Sequence, residues 1–383
     1  MDESLETSIT VPWIVVDGRE GGGQLLRTSL AMSTLCARPF RMEHIRAHRP
    51  QPGLRAQHST AAQAMTELCG ATSTGVSVGS DAMSFAPTHL PSGEHALSIG
   101  TAGSTSLVLH TIFYPMALSE EGGSLQLYGG THGAFAPTWD YLEAVWQPLL
   151  KQCGLAVEME LPYYGLYPRG GGQLNVTIPG GQRPLPVRWL ERPALTRLVV
   201  RTLIAGPDEL EGRADSDREL EEEIGGAAAE WLERMGYTVE RELHSRKASS
   251  PGVLVYVFCE FGEMRAGFTV WSRKHQKASE ALGSEVASLA LRFLSSGAVL
   301  DEHAADQLLL PLSLAPGDSV FTTPEVTAHL RSNAALLEQF LPWRKIRFEE
   351  CSEGMVKVSI EQKGPRPDLG LNAEEWEERT DVD

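Results

Sequence analysis

Apolar positions recur at two periods along the chain, and their alternation predicts the order of elements. Residues 13–18 read as a buried strand ending in a turn. Leu25, Leu26, Leu30, Met32 and Leu35 then mark a mostly apolar helix reaching Cys36. A second strand over 40–46, a loop over 48–57, a helix over 58–69 and alternating segments within 72–85 complete the order β-α-β-α-β-β. The same order returns. A strand over 97–100 precedes a helix through Leu107, Leu109, Ile112 and Met116. A strand over 125–128, a helix over 137–153 and strands over 156–161 and 173–178 close the second unit. An internal repeat is therefore expected, with a less regular third copy drawn from 278–296, 319–323, a helix starting near 328 and strands near Ile346 and Val356.

Between the second and third copies the character changes. Residues 186–275 carry an acidic run, an amphipathic helix over 220–235 and strands over 254–259 and 267–271, with Pro and Gly at the edges. The expectation is an α/β protein of two parts. Residues 1–185 and 276–383 form a body of repeated βαβαββ units, and 186–275 form an inserted small α/β domain.

Charge changes this picture less than its sum suggests. The net charge is −17, but residues 208–223 hold nine acids against Arg213 and Arg218, and residues 368–383 hold seven against Arg379. The remainder is close to neutral, so a local basic groove for RNA is compatible with the total. Five cysteines, Cys36, Cys69, Cys153, Cys259 and Cys351, are scattered without a C-x-x-C pair. That pattern argues against a disulfide framework and fits reduced cytosol. With no signal peptide in Met1-Asp2-Glu3-Ser4 and no apolar run long enough to span a bilayer, a cytoplasmic location is expected.

Candidate chemistry sits in four places. His329 opens an amphipathic helix marked by Leu330, Ala334, Leu337 and Leu341, one turn from Asn333 on the same side. Taken by itself it reads first as a capping or packed residue, and the motifs around it are what raise the alternative of a nucleophile. Glu20-Gly21-Gly22-Gly23-Gln24 lies at a strand-to-helix junction, where free N–H groups suit phosphate; Glu20 suits a divalent cation and Arg27 a phosphate oxygen. A tight turn with a dipole-favoured Glu is the alternative. Arg46, Arg49 and Arg55, interspersed with His44, His48 and His58, form the densest cationic loop; a solvated charged loop is the alternative, but two prolines and Gly53 give it a defined shape that favours bidentate phosphate contacts. Asp306-Gln307, after Asp301-Glu302-His303, stands at the lip of an apolar run, where either aspartate also suits a helix N-cap. The Walker A pattern is absent. A lysine-adenylating K-x-D-G is absent too, Val15 preceding Asp17-Gly18 where that lysine would stand. A serine triad on a nucleophile elbow is not expected. A histidine is left as the best candidate for covalent nucleotide chemistry.

Five ordered motifs carry a family resemblance: Asp17-Gly18 with Glu20 to Arg27, Ile45-Arg46 with Pro52 to His58, Gly100 to Ser104, Ala305 to Pro311, and the His329 segment. In these the chain resembles RNA 3′-terminal phosphate cyclase, from about residue 13 to residue 361. The resemblance implies three βαβαββ repeats like the C-terminal domain of translation initiation factor 3, with a thioredoxin-like insert. It also implies ATP as co-substrate, Mg2+ or Mn2+, and an RNA with a 3′-phosphate end as partner. By the same resemblance His329 is the nucleophile that takes up AMP, and Glu20 holds the metal. Arg27, Arg46, Arg49 and Gln57 would face phosphates, Pro137 and His303 would flank adenine, and His110, Ala304, Ala305, Asp306 and Gln307 would lie beside the nucleotide.

The chain departs from the family pattern at several points. His303 stands where Tyr is common, His110 where Gln is expected and His48 where Gly is usual, and Arg331 adds a cation. Two other classes share parts of the pattern. A non-catalytic RNA-binding ribosome assembly factor would not be expected to keep His329. An enolpyruvyl transferase shares the repeats and glycine turns but would accept phosphoenolpyruvate rather than AMP.

Overall fold

The computed structural model describes residues 12–19, 21–133, 135–207, 211–272, 279–351 and 354–365. Three of its four-stranded sheets share one pairing scheme. In the first, β1 (Ile14–Asp17) runs parallel to β2 (Phe40–Glu43) across α1 (Gly23–Cys36). After α2 (Ala56–Leu68), β3 (Thr72–Thr74) and β4 (Met83–Ala86) pair antiparallel, and β4 returns beside β2. In the second, β5 (Gly93–Ser98), α3 (Thr105–Leu118) and β6 (Gly122–Gly129) make the parallel crossover. A helical stretch follows, built of α4 (Trp139–Tyr141), a π-helical turn (Leu142–Trp146) and α5 (Gln147–Gln152). Strands β7 (Glu158–Tyr163) and β8 (Gly172–Pro179) complete the order β5-β6-β8-β7.

The third sheet is split in sequence. The two-residue β9 (Arg188–Trp189) pairs parallel with β14 (Ser319–Thr323), 130 residues later. Between them lies a fourth sheet of order β11-β10-β12-β13, from β10 (Arg197–Gly206), β11 (Glu240–Lys247), β12 (Gly252–Phe261) and β13 (Met264–Ser272). Helices α6 (Ala214–Arg234) and α7 (Ser279–Ser296) pack against it. The third sheet is completed by α8 (Glu302–Leu314), α9 (Ala328–Phe340), β15 (Arg344–Glu350) and β16 (Val356–Gln362).

Two elements differ from the expected edges of the insert. Strand β9, placed in the insert at 186–275, is an edge of the third sheet; two residues among prolines carry no readable period. Helix α7, assigned to the third repeat, instead packs on α6, β12 and β13. Its apolar face (Leu282, Val286, Ala290, Phe293) is buried, and Gly283 brings the two helices together so closely that a Cβ there would stand 2.4 Å from the Ile224 carbonyl.

Helices α1, α3, α8 and α9 meet in the interior. A helix apolar on all sides has to be buried, and from Gln24 to Cys36 every residue of α1 is buried except Arg27. Helix α3 is buried throughout except at His110. Each buried helix thus opens at a single polar side chain, and both side chains face the same space.

Candidate functional site

That space is a cavity of about 1020 Å³. The turn before α1, the 44–58 segment, α3, residues 133–141, β13, α7, α8 and α9 all contribute to its walls. Thr327 caps α9 by accepting from the Leu330 N–H at 3.0 Å, which sets His329 in the first turn, exposed at the cavity mouth. Asp306 on α8 then ties three helices together. It accepts at 2.7 Å from both Gln24 Nε2 on α1 and Asn333 Nδ2 on α9. Gln24 Nε2 also donates to the His329 carbonyl at 3.1 Å, and Thr28 Oγ1 donates to Asn333 Oδ1 at 3.0 Å. The backbone of His329 is therefore fixed by a polar network anchored in the core.

The glycines of the turn supply space. A Cβ on Gly22 would lie 4.0 Å from His329 Nε2 and 3.5 Å from Arg49 Nη2, so a volume about one phosphate oxygen wide lies between histidine and arginine. A Cβ on Gly23 would lie 2.0 Å from His58 Nε2 and 3.0 Å from Arg27 Nη1. Only glycine lets those two side chains reach the turn.

The site is strongly cationic for an acidic chain. Partial desolvation at the cavity mouth, then Arg27, Arg49 and His303, hold the His329 pKa below its ordinary value, which favours the neutral imidazole. Burial, with Arg27, Arg46 and Arg55, lowers His58 to about 3, and its Nδ1 accepts from the Arg55 N–H at 3.2 Å. Burial and Arg27 lower His110 to about 3. Arg27 itself falls to about 10 through burial. In the opposite direction, burial pushes Asp306 up to about 6, partly offset by Asn333 and Arg27. Four buried side-chain atoms of wall residues, Gln24 Oε1, His110 Nε2, Trp271 Nε1 and Gln307 Oε1, have no hydrogen-bond partner within the protein. Orphaned polar atoms lining a cavity point to a ligand that completes them.

A family profile described as RNA 3′-terminal phosphate cyclase matches residues 18–346. The chain belongs to that family. A protein of that name from Ralstonia nicotianae is 38% identical over 352 residues, covering 91% of this chain and 97% of the relative. Another from Ectopseudomonas mendocina is 35% identical over 353 residues, covering 91% and 98%, and one from Methylococcus capsulatus is 33% identical over 354 residues, covering 90% and 95%. The RNA 3′-terminal phosphate cyclases are ATP-dependent enzymes of the ligase class, and the present chain is an enzyme of this family.

Of the residues expected in a cyclase site, His329, His110, Pro137, His303, Asp306, Gln307, Arg27, Arg46, Arg49 and Gln57 all line the one cavity. Arg46 spends one guanidinium nitrogen on its own loop, donating to the Gln51 and Gly53 carbonyls at 3.0 Å each. Ala304 and Ala305 are buried within α8 and do not line the cavity. Glu20 lies outside the described residues. Asp301, rather than Asp306, caps α8, accepting from the His303 and Ala304 N–H groups at 2.9 and 2.8 Å. Arg331 points away, its guanidinium 5.7 Å from the Phe348 ring centroid.

Sequence reasoning gave Gln24 and His58 no role of their own and left out Tyr141 and the contribution of the insert, whose Thr269 and Trp271 line one wall. Gln24 carried a signal, standing directly after the glycine run. The letters G-x-S-x-G do occur once, at Gly75-Val76-Ser77-Val78-Gly79, but in an exposed loop between β3 and β4 rather than at a strand-to-helix turn. Ser77 is not a nucleophile elbow. No helix among the described residues is long and apolar enough to cross a membrane, and all five cysteines are free.

Proposed function

We propose that this enzyme uses ATP to convert an RNA 3′-terminal phosphate into a 2′,3′-cyclic phosphate through a covalent adenylate on His329. The observation that carries the reading is the gap left by Gly22 on the cavity wall, where an added atom would stand 4.0 Å from His329 Nε2 and 3.5 Å from Arg49 Nη2, so that an anion entering it would meet the histidine and a cation together. Neutral imidazole attacks through the Nε2 lone pair, and the depressed pKa of His329 keeps that form populated at neutral pH. A bond forms from Nε2 to the α-phosphorus of ATP, the bond to the bridging oxygen breaks, and pyrophosphate leaves. The Nδ1 proton is released with it. An oxygen of the RNA 3′-phosphate then displaces the histidine, giving RNA(3′)pp(5′)A. Attack by the vicinal 2′-oxygen on the RNA phosphorus expels AMP and closes the ring.

The chain's own residues have distinct tasks in this sequence. Arg27, Arg46 and Arg49 offset phosphate charge, and the N–H groups at the start of α1 suit an oxyanion. His110 Nε2 and Gln307 Oε1 offer partners to the adenine edge, with Pro137 and His303 on its flanks. A divalent cation would accompany the nucleotide phosphates, whose charge such an ion neutralises. Glu20 is the carboxylate proposed to hold it, and when bound the cation would neutralise charge on the leaving pyrophosphate.

Incubation with α-labelled ATP and a divalent metal, without RNA, followed by denaturing electrophoresis tests the first step. The expected label is acid-labile and base-stable, and it vanishes in His329→Ala. No label on the wild-type chain, with ATP binding intact, would sink the mechanism and favour a non-catalytic RNA-binding role.

A further inference from the structure

The solvent face of the second sheet carries a feature that neither of the two sheets of like topology has. Strands β5, β6, β8 and β7 bury Leu125, Leu127, Leu174 and Val176 on the inner face. The outer face is set by cross-strand register. Its last row, at the C-terminal ends of β5 and β6, runs Ser98, Tyr128, Gln173, Tyr163. Tyr128 is 38% exposed and Tyr163 63% exposed, on either side of the half-buried Gln173. A register shift in β7 between Glu160 and Tyr163 brings Tyr163 opposite Gln173. Without the extra residue Pro162 would stand there, so the bulge aims an aromatic ring at this row. The matching end of the first sheet carries Asp17 and Glu43, and that of the third carries Thr322, Lys357 and Glu349.

Along the chain this row leads directly to elements of the cavity wall. From Tyr128 the chain passes through Gly129 and Gly130 into the 133–138 wall, and from Ser98 it passes into the loop whose Gly103 would set a Cβ 3.2 Å from Gln57 Cβ. Acidic residues on the face, Glu94, Glu158 and Glu160, lie in the rows farther from the cavity. The end nearest the cavity is thus neutral, aromatic and amide-bearing. Tyrosine rings on an open four-stranded sheet stack with unpaired bases, and amides between them meet base edges.

We infer that Tyr128, Gln173 and Tyr163 form a platform for one or two unpaired bases of single-stranded RNA just upstream of the 3′-phosphate. The inference rests on the cyclase reading above and adds to it where the body of the substrate lies. The occupant is RNA because the substrate must leave the cavity as a strand, and this neutral end row joins the cavity wall through β6.

The experiment compares wild type, Tyr128→Ala/Tyr163→Ala and Tyr128→Phe/Tyr163→Phe. Anisotropy of a labelled decaribonucleotide with a 3′-phosphate, measured without ATP, reads binding independently of chemistry. Self-adenylation with ATP alone reads the cavity. The double alanine variant is expected to bind the decamer roughly 10- to 100-fold more weakly while adenylating at the wild-type rate, and the phenylalanine variant is expected to bind like wild type. In turnover, wild type should show a lower KM for the decamer than for a nucleoside 3′-monophosphate, and the alanine variant should lose that difference. Unchanged decamer binding in the alanine variant would overturn the platform, as would a wild-type dimer that dissociates in this variant, since the face would then belong to a second copy. Decamer binding that depends on the tyrosines, in a chain that never adenylates, would uphold the platform and overturn the cyclase reading instead.

Discussion

The side-chain amide of Gln24 donates to the backbone carbonyl of His329 at 3.1 Å, joining the first helix among the described residues to the last. The same nitrogen donates to Asp306, so one amide links the glycine turn, the His329 backbone and the buried acid. Gln24→Ala is therefore expected to slow formation of the adenylated enzyme by roughly 10- to 100-fold, because a small displacement of a reacting atom is costly. Loss of the two bonds should also destabilise the fold by about 1–3 kcal/mol. Single-turnover labelling and thermal melts read the two effects. Gln24→Glu should not rescue, since it sets a second carboxylate against Asp306. Full activity in either variant would show that the network does not position the histidine.

Asp306 makes a stability prediction of definite sign. Burial raises its pKa from 3.8 to about 6, so the folded state pays to ionise it. Its favourable contribution is present below pH 4 and is lost as pH rises through about 6. Asp306→Asn keeps an Oδ1 acceptor for Gln24 and Asn333 without the charge. It should match the wild-type chain near pH 4 and gain on it above pH 7, by at most roughly 3 kcal/mol, since Arg27 compensates part of the cost. Melting curves across that range would show the widening gap. A pH-independent difference would mean that Asp306 is not penalised.

The pH profile of self-adenylation follows from His329. Its pKa is held below 6.5, so the neutral imidazole persists under mildly acidic conditions, and the rate should fall only as pH drops through that lowered value. Asp306, raised to about 6, also titrates on the acid side of neutrality, so the profile alone does not identify the group. Arg49 is exposed and faces the histidine, and Arg49→Gln removes one of the cations that depress its pKa. The acid limb should move to higher pH in this variant. A limb that stays in place would assign it to another group.

How much of this was legible in the sequence depended on period and on chemistry. The helices of the first two units are buried on nearly every side, so their apolar runs stand out. Strand β11 escaped notice because its residues are mostly charged. Its Glu240 and Glu242 pair with Arg197 on β10, so the strand is held by ion pairs as well as by its ladder and shows no apolar alternation. Helix α7 shows a clear amphipathic period, but period alone does not say which sheet the apolar face covers. The cationic and acidic site residues were visible as motifs. The amide network of Gln24, Asp306 and Asn333 was not, because bonds spanning up to 305 residues in sequence exist only once three helices have packed.

The two glycines before and at the start of α1 should fail in different ways. Neither has a left-handed φ, so a methyl group acts through the space it takes. At Gly23 it would stand 2.0 Å from His58 Nε2, and His58 is buried and held through Nδ1 by the Arg55 N–H. The ring has nowhere to retreat without losing that bond. Gly23→Ala should therefore cost about 1–3 kcal/mol of stability and disturb Arg27 as well. At Gly22 the nearest atoms are Arg49 Nη2 at 3.5 Å and His329 Nε2 at 4.0 Å, which are ordinary contacts. Gly22→Ala should fold and melt within about 1 kcal/mol of wild type. Its methyl nevertheless fills the gap through which a phosphate must reach the histidine, so adenylation should fall on the order of 100-fold. Stability without adenylation in Gly22→Ala, beside lost stability in Gly23→Ala, would mark the first glycine as the floor of the phosphate site and the second as part of its foundation. Wild-type labelling of Gly22→Ala would place the α-phosphate elsewhere.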